Sequence, residues 1–267
     1  MNLKNTIPSI ILGFTTLCAS CNKNAAKMVH QKPKIENNLH FQKLLKDTFS
    51  TKYSDEQKII SYNSMKQLYN GNSSNYIIVD KKKCQAKVYS PLGQLLYKTE
   101  VALGQNIGDK RAGGYMVPGA KLSAYTAPGE YTIAREGSSN SKNTKLYGRR
   151  VLTLAGDHTQ EAYKKSQVLA LHRVPKTPMG KLRENVFNNG TIKDNRVSFG
   201  CVNFLVESYD KMRKLITGKN TKVYILPEEK GNSLHLEKQK DGSYKFFQTK
   251  YRYESQEHKV SNKKNVR

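Results

Sequence analysis

The sequence predicts a mainly β domain with a few short helices, preceded by a helical N-terminal extension. Three observations lead there. From residue 75 onward, short runs rich in Ile, Val, Leu and Tyr alternate with Gly- and Pro-containing turns, the pattern of strands and hairpins. Before that point, apolar residues recur at helical spacing in two segments. Finally, 267 residues of 37% apolar content suit one mid-sized domain with part of the chain outside any core.

Residues 22–40 are polar and lysine-rich and read as a tether. Phe41, Leu44, Leu45 and Phe49 fall at helical spacing. Ser54-Asp55-Glu56-Gln57 has the form of a capping box opening a second helix through Ile59, Ile60 and Leu68, with Asn70-Gly71 as its stop. Both helices read as packing or spacing elements. Residues 76–80, 86–89 and 94–99 form a meander, with Pro91-Leu92-Gly93 turning into its third strand. Residues 101–104 lead into a long Gly-rich loop, and Ala127-Pro128-Gly129 turns into a strand through Ile133. The polar stretch 136–150 reads as an exposed loop or lid over a cleft. Residues 151–154 and 168–171 are strands, the second delivering His172, and 176–196 is a basic insert containing Gly180 and Gly190. Residues 209–215 have helical spacing and 221–226 form a closing strand. Residues 234–237 and 244–247 pair across Lys240-Asp241-Gly242 as a hairpin, before a basic tail from Lys250.

The net charge of +25 and pI near 9.8 favour polyanionic partners: nucleic acid, anionic lipid or anionic wall polymers. The N-terminus narrows the choice. Lys4 precedes a broken apolar run, residues 7–17, too short to span a membrane, and then Cys18-Ala19-Ser20-Cys21; this reads as a signal peptide. Ala19-Ser20 before Cys21 resembles a lipoprotein cleavage site, which would make Cys21 a lipidated N-terminus; an ordinary secretory signal or an uncleaved anchor are the alternatives. Export directs the protein to the periplasm or cell envelope, argues against nucleic acid, and leaves an anionic membrane or wall surface to meet the basic chain. A monomer is expected. No second Cys-x-x-Cys pairs with Cys18–Cys21, His-Glu-x-x-His does not occur and the histidines are scattered, and phosphate loops and dinucleotide fingerprints are absent, so neither metal nor other cofactor is expected. Cys84 shares one strand face with Ala86 and Val88 and reads as a small buried hydrophobe rather than a disulfide partner for Cys201.

The chemistry concentrates in Asp194-Asn195-Arg196-Val197-Ser198-Phe199-Gly200-Cys201-Val202-Asn203. A cysteine taken alone is more often a buried structural thiol than a nucleophile. Here Leu169-Ala170-Leu171-His172 supplies a histidine at the end of an apolar run, fixed on rigid structure as a base must be; His158 in a loop is its competitor. Gly200 permits a sharp turn, and the backbone N–H groups of Phe199, Gly200 and Cys201 are candidates for an oxyanion hole. Such a turn beside a base is expected to lower the thiol pKa from about 8.5. Asn203 and Arg196 are candidates for holding a substrate carboxylate or amide, although Arg196 could equally brace the insert through a salt bridge.

These residues resemble the active-site signature of the L,D-transpeptidase catalytic domain, a family of bacterial cell-wall enzymes. Its usual pattern is a histidine, a spacer, then Ser/Thr-His-Gly-Cys-apolar-Asn/Arg. Here Phe199 stands where the family usually has a second histidine, removing one electrostatic partner for the thiolate, and the separation of 29 (201 − 172) is longer than usual. Both features resemble a branch reading Leu-His-Arg or Leu-His-Asn, a longer insert, then Asn-Arg-Ile/Val-Ser-aromatic-Gly-Cys-Ile/Val-Asn. Ile77-Ile78-Val79-Asp80, Thr126-Ala127-Pro128-Gly129-Glu130-Tyr131 and the closing helix and Val223-Tyr224-Ile225-Leu226 strand extend the likeness over about residues 75–228.

The resemblance implies a mixed β-sandwich of the L,D-transpeptidase type. With the residue pattern outside it, the chain divides into a signal peptide (1–20), a tether and helical extension (21–74), a catalytic domain implied by the resemblance (75–228) and a basic hairpin and tail (229–267). The resemblance implies a transferase of cell-wall and cell-shape biology, with Cys201 as nucleophile, His172 as base and Ser198 hydrogen-bonded within the catalytic turn; a satisfied turn serine is the plainer reading of Ser198. Peptidoglycan stem peptides are the implied partner. A cysteine amidase or carboxypeptidase with the same site, or an inactive wall-binding relative, are the alternatives.

Overall fold

The computed structural model describes residues 53–71, 73–109, 124–137, 150–156, 169–175, 178–187, 191 and 194–248. The chain divides into two units, Met1–Pro33 and Lys34–Arg267, and every described residue belongs to the second. The Cys21 segment, the helix expected around Phe41 to Phe49, His158 and the basic tail lie outside the described residues.

Helix α1 (Asp55–Asn70) opens on the expected capping box: Ser54 Oγ accepts from Gln57 N at 3.3 Å, and the Ser54 N–H donates to Gln57 Oε1 at 2.9 Å. Gly71, at φ 70°, closes it in the left-handed conformation. The strands follow as β1 (Tyr76–Asp80), β2 (Gln85–Tyr89), β3 (Leu95–Glu100), β4 (Leu103–Gly104), β5 (Gly129–Gly137), β6 (Val151–Ala155) and β7 (Ala170–Arg173). Helix α2 (Pro178–Val186) lies in the basic insert, where no helix was expected. Then come β8 (Arg196–Ser198), β9 (Val202–Phe204), helix α3 (Val206–Leu215), β10 (Lys222–Ile225), and the hairpin β11 (Leu234–Lys238) with β12 (Tyr244–Gln248).

Eight strands form one mixed sheet in the order β3-β2-β1-β10-β5-β6-β7-β9. Only the β1–β10 and β7–β9 neighbours are parallel. Sequence expectation and structure agree on a mainly β domain with a mixed sheet and few short helices.

Both faces of the sheet are covered, and strand alternation sorts the side chains between them. Ile77, Val79, Val88, Ile133, Val223 and Ile225 join one apolar cluster with Tyr209 and Met212 of α3. Their neighbours Tyr76, Ile78, Tyr89 and Tyr224 join a second cluster with Ile59 and Tyr62 of α1 and Leu234 and Phe246 of the hairpin. That is why β1 is buried along its whole length while β3, at the sheet edge, is largely open. The second cluster is aromatic. Tyr62 and Tyr224 each meet Phe246 edge-on at 5.5 Å, and Tyr76 meets Tyr224 at 6.0 Å. Two carboxylates fasten the hairpin: Phe246 N donates to Glu130 Oε2 at 3.0 Å and Leu234 N to Asp55 Oδ2 at 2.9 Å. No helix among the described residues is long and apolar enough to cross a membrane.

The cysteine motif sits at the β9 edge. On one side β9 runs parallel to β7, with Leu171 opposite Val202 and His172 opposite Asn203. On the other, Ala102 and Asn203 exchange backbone hydrogen bonds at 2.9 and 2.8 Å, and β4 pairs with β8. The turn joining β8 to β9 is therefore clasped between two strands.

Candidate active site

Four bonds shape the turn from Ser198 to Asn203. Ser198 Oγ donates to the Cys201 carbonyl at 2.6 Å and accepts from Gly200 N at 3.1 Å. Asn203 Nδ2 donates to the same Cys201 carbonyl at 3.0 Å. Thr126 Oγ1 donates to the Gly200 carbonyl at 2.9 Å while accepting from Gly104 N at 2.9 Å. Thr126, Ser198 and Asn203 are all buried, so these bonds form away from competing water. Gly200 has φ +111°, and a Cβ there would lie 2.8 Å from the Tyr125 carbonyl oxygen; only glycine suits the position.

The pleat decides what faces what. Leu171 and Val202 are register partners, and both point into the first apolar cluster. Their neighbours Ala170, His172, Cys201 and Asn203 therefore share the opposite face of two adjacent strands. A hydrogen bond from the Ala170 backbone to the Cys201 thiol agrees with that placement. His172 Nδ1 lies 2.7 Å from the Arg173 carbonyl. A carbonyl only accepts, so Nδ1 carries the proton and Nε2 is the basic nitrogen, the tautomer that a general base requires. Arg173 is itself bonded to Asp210 of α3 and lies 5.5 Å over the Tyr209 ring, so the strand end carrying His172 is anchored.

Burial governs the electrostatics. It lowers the His172 pKa to about 4, with the Arg173 hydrogen bond opposing and the Arg183 charge assisting. It raises the Cys201 thiol to about 11, against the Ala170 hydrogen bond and the Arg183 charge. The expectation of a depressed thiol pKa is thereby corrected: desolvation outweighs the Ala170 hydrogen bond and the Arg183 charge. At neutral pH the site holds a neutral thiol and a neutral imidazole.

Other sequence expectations change in detail. The Gly200 N–H, one of three oxyanion-hole candidates, is engaged by Ser198 Oγ. Asn203 is fully buried; its Oδ1 accepts from Arg183 Nη1 at 3.2 Å and its Nδ2 donates to the Cys201 carbonyl, so it braces the turn. Arg196 is committed to Glu228 and to the Lys81 carbonyl, at 2.8 Å for the latter, which ties β8 to the β1–β2 turn and to the segment after β10. Cys84 is buried and free as expected, but it occupies a turn at φ 46° rather than a strand. Phe199 is exposed beside Cys201, its ring 5.7 Å from the Arg183 guanidinium.

Two residues escaped the sequence reading. Thr126 was quoted only as part of a turn. Arg183 was passed over as one charge in a basic insert; the Thr177-Pro178 step, a helix-opening signal, could have flagged the helix that carries it.

No family model matches the chain, and no curated protein matches it. Among solved structures, Bd1075 of Bdellovibrio bacteriovorus is similar at 19% identity and TM-score 0.39, over 59% of this chain and 49% of that one. The helical cell shape determining protein Pgp2 of Campylobacter jejuni is similar at 17% identity and TM-score 0.39, over 59% and 50% of the two chains. The L,D-transpeptidase of Xylanimonas cellulosilytica is similar at 14% identity and TM-score 0.37, over 62% and 68%. The match spans about half the length of the first two, at 49% and 50%.

Proposed function

We propose that this protein is a cysteine acyltransferase of the L,D-transpeptidase type acting on peptidoglycan stem peptides. The observation that carries the reading is the Ser198–Asn203 turn: Cys201 is held by two donors on its carbonyl and shares a strand face with His172, whose Nδ1 is locked on the Arg173 carbonyl. His172 Nε2 takes the thiol proton as Cys201 sulfur attacks the carbonyl of the L,D-amide in a tetrapeptide stem. The C–N bond breaks, the departing D-alanine amine takes the proton from His172, and a thioester remains. An amine from a neighbouring stem then attacks the thioester, its proton passing through His172 to the returning thiol. Gly200 shapes the turn, and the Phe199 and Cys201 N–H groups are the oxyanion donors of this scheme.

The acceptor is read from products. Purified protein incubated with muropeptides should give cross-linked dimers by mass analysis; tripeptides alone would assign the acyl group to water and make the protein a carboxypeptidase. Absence of any product, together with no carbapenem adduct on Cys201, would leave a wall-binding protein.

The address belongs to the same proposal: export to the cell envelope, with lipid on Cys21 and a tether reaching toward the wall. Cys21→Ala should release the protein from the membrane fraction. Unchanged fractionation would dispose of the lipid anchor without touching the chemistry.

A further inference from the structure

Arg183 is a buried cation with an identifiable reason for its place. Its guanidinium donates to Asn203 Oδ1 at 3.2 Å and lies 5.7 Å from the Phe199 ring centroid, within cation–π range. The residue is 7% exposed, and a buried charge is costly to keep without a return. The fold sets it there through Gly180. A Cβ at Gly180 would lie 1.5 Å from the Pro175 carbonyl oxygen, so the backbone of α2 is pressed against the chain just beyond β7. Arg183 stands three residues on, on the same helix face as Gly180. The helix that was read only as a basic insert thus aims one arginine at the catalytic turn.

The contact with Asn203 is directional. A guanidinium only donates and a carbonyl only accepts, so Arg183 holds the amide oxygen while the Cys201 carbonyl holds the amide nitrogen. Loss of Arg183 would leave that buried amide without the partner that orients it. The Arg183 charge also acts on both titrating groups of the site, lowering the Cys201 thiol and the His172 imidazole alike. The first effect favours a sulfur that gives up its proton, while the second keeps the imidazole neutral at rest and weakens it as the acceptor, so the gain from Arg183 lies on the thiol. The Arg183 charge acts on Cys201, whereas Arg173, on the adjoining strand, is turned to Asp210.

We propose that Arg183 is the electrostatic positioning residue of this site: held between the Phe199 ring and the Asn203 amide, it biases Cys201 toward the thiolate and fixes the amide that grips its carbonyl. The proposal rests on Cys201 being the nucleophile, but its test reads thiol chemistry without peptidoglycan, so a failed product assay leaves it standing or falling on its own.

The test is the pH dependence of Cys201 alkylation by iodoacetamide, followed by peptide mass analysis on the full-length protein. Arg183→Gln should raise the alkylation midpoint by about one pH unit, slowing alkylation about tenfold at any pH below it. Arg183→Lys, which keeps the charge, should stay within about half a unit of the wild type, while its looser geometry slows acylation by a carbapenem. Arg183→Met serves as a second neutral variant that retains the length of the stem. A neutral variant with native circular dichroism and an unchanged midpoint overturns the proposal. So does failure of both neutral variants to fold, which would make the role of Arg183 structural.

Discussion

Replacing His172 with alanine is expected to slow acylation of Cys201 by a carbapenem by about 100- to 10,000-fold, the range that general-base catalysis commonly supplies. The expectation follows from the resting state. Burial holds the thiol near 11 and the imidazole near 4, so a preformed thiolate is scarce at neutral pH and the proton must leave during attack. The pH profile carries the same information. In the wild type the base is lost only as pH falls through about 4, so the rate should persist well into acid. In His172→Ala that acid limb should vanish, and the rate should climb with pH toward the thiol value. The sign of the stability effect is also fixed. A histidine whose folded pKa lies below the ordinary 6.5 takes up a proton first in the unfolded chain. Native stability should therefore fall as pH drops from about 6.5 to about 4, and His172→Ala should flatten that window. An acylation rate within threefold of wild type would remove His172 as the base.

Lys81→Met should be the most destabilising substitution remote from the cysteine. The Lys81 ammonium is fully buried, donates to the Gly108 carbonyl at 2.6 Å and to Asp109 Oδ1 at 2.9 Å, and lies 3.3 Å from Glu228 Oε1. Asp109 in turn accepts from the backbone N–H groups of Glu228 and Glu229, each at 2.9 Å. Removing one partner of a buried ion pair strands the other, at a cost of about 3–5 kcal/mol. For a domain of this size that lowers the melting temperature by roughly 10 °C. Burial alone would raise the Asp109 carboxyl, but the Lys81 charge, the Asn232 amide and the Glu228 N–H outweigh it and hold it below the usual carboxylate value. That contribution is present above the unfolded pKa of 3.8 and is lost as pH falls through the lower folded value. Without Lys81 the carboxyl protonates at higher pH, so the gap between variant and wild type should narrow from pH 7 to pH 4 in thermal scans. Equal melting temperatures at pH 7 would contradict the assignment. Because Arg196 bonds both Glu228 and the Lys81 carbonyl, the same substitution should loosen β8 and slow Cys201 acylation.

How much of this was legible in the chain depends on range. Helix α1 was readable to its caps because Ser54, Gln57 and Gly71 act on backbone groups within a turn of themselves. β1 and the β11–β12 hairpin were readable because alternation and turn residues are local signals. The cysteine motif was readable for the same reason: Ser198, Gly200, Cys201 and Asn203 bond to one another across two or three residues.

Tertiary structure alone decided the rest. Thr126 reaches Gly200 across 74 residues, Arg183 reaches Asn203 across 20, and Asp109 reaches Glu228 across 119, so no window of sequence contains both partners. It also decided that α1, read as a packing or spacing element, and the C-terminal hairpin, read as lying outside the domain, cover the second face of the sheet. Most telling is the thiol. The residue types around Cys201 predicted an activated thiolate, but burial is a property of the assembled strands, and here desolvation outweighs the Ala170 hydrogen bond and the nearby cation. The sequence by itself determined which residues form the Ser198–Asn203 turn, through short-range backbone chemistry. Folding decided their charge state, because it sets how much water remains to solvate an ion.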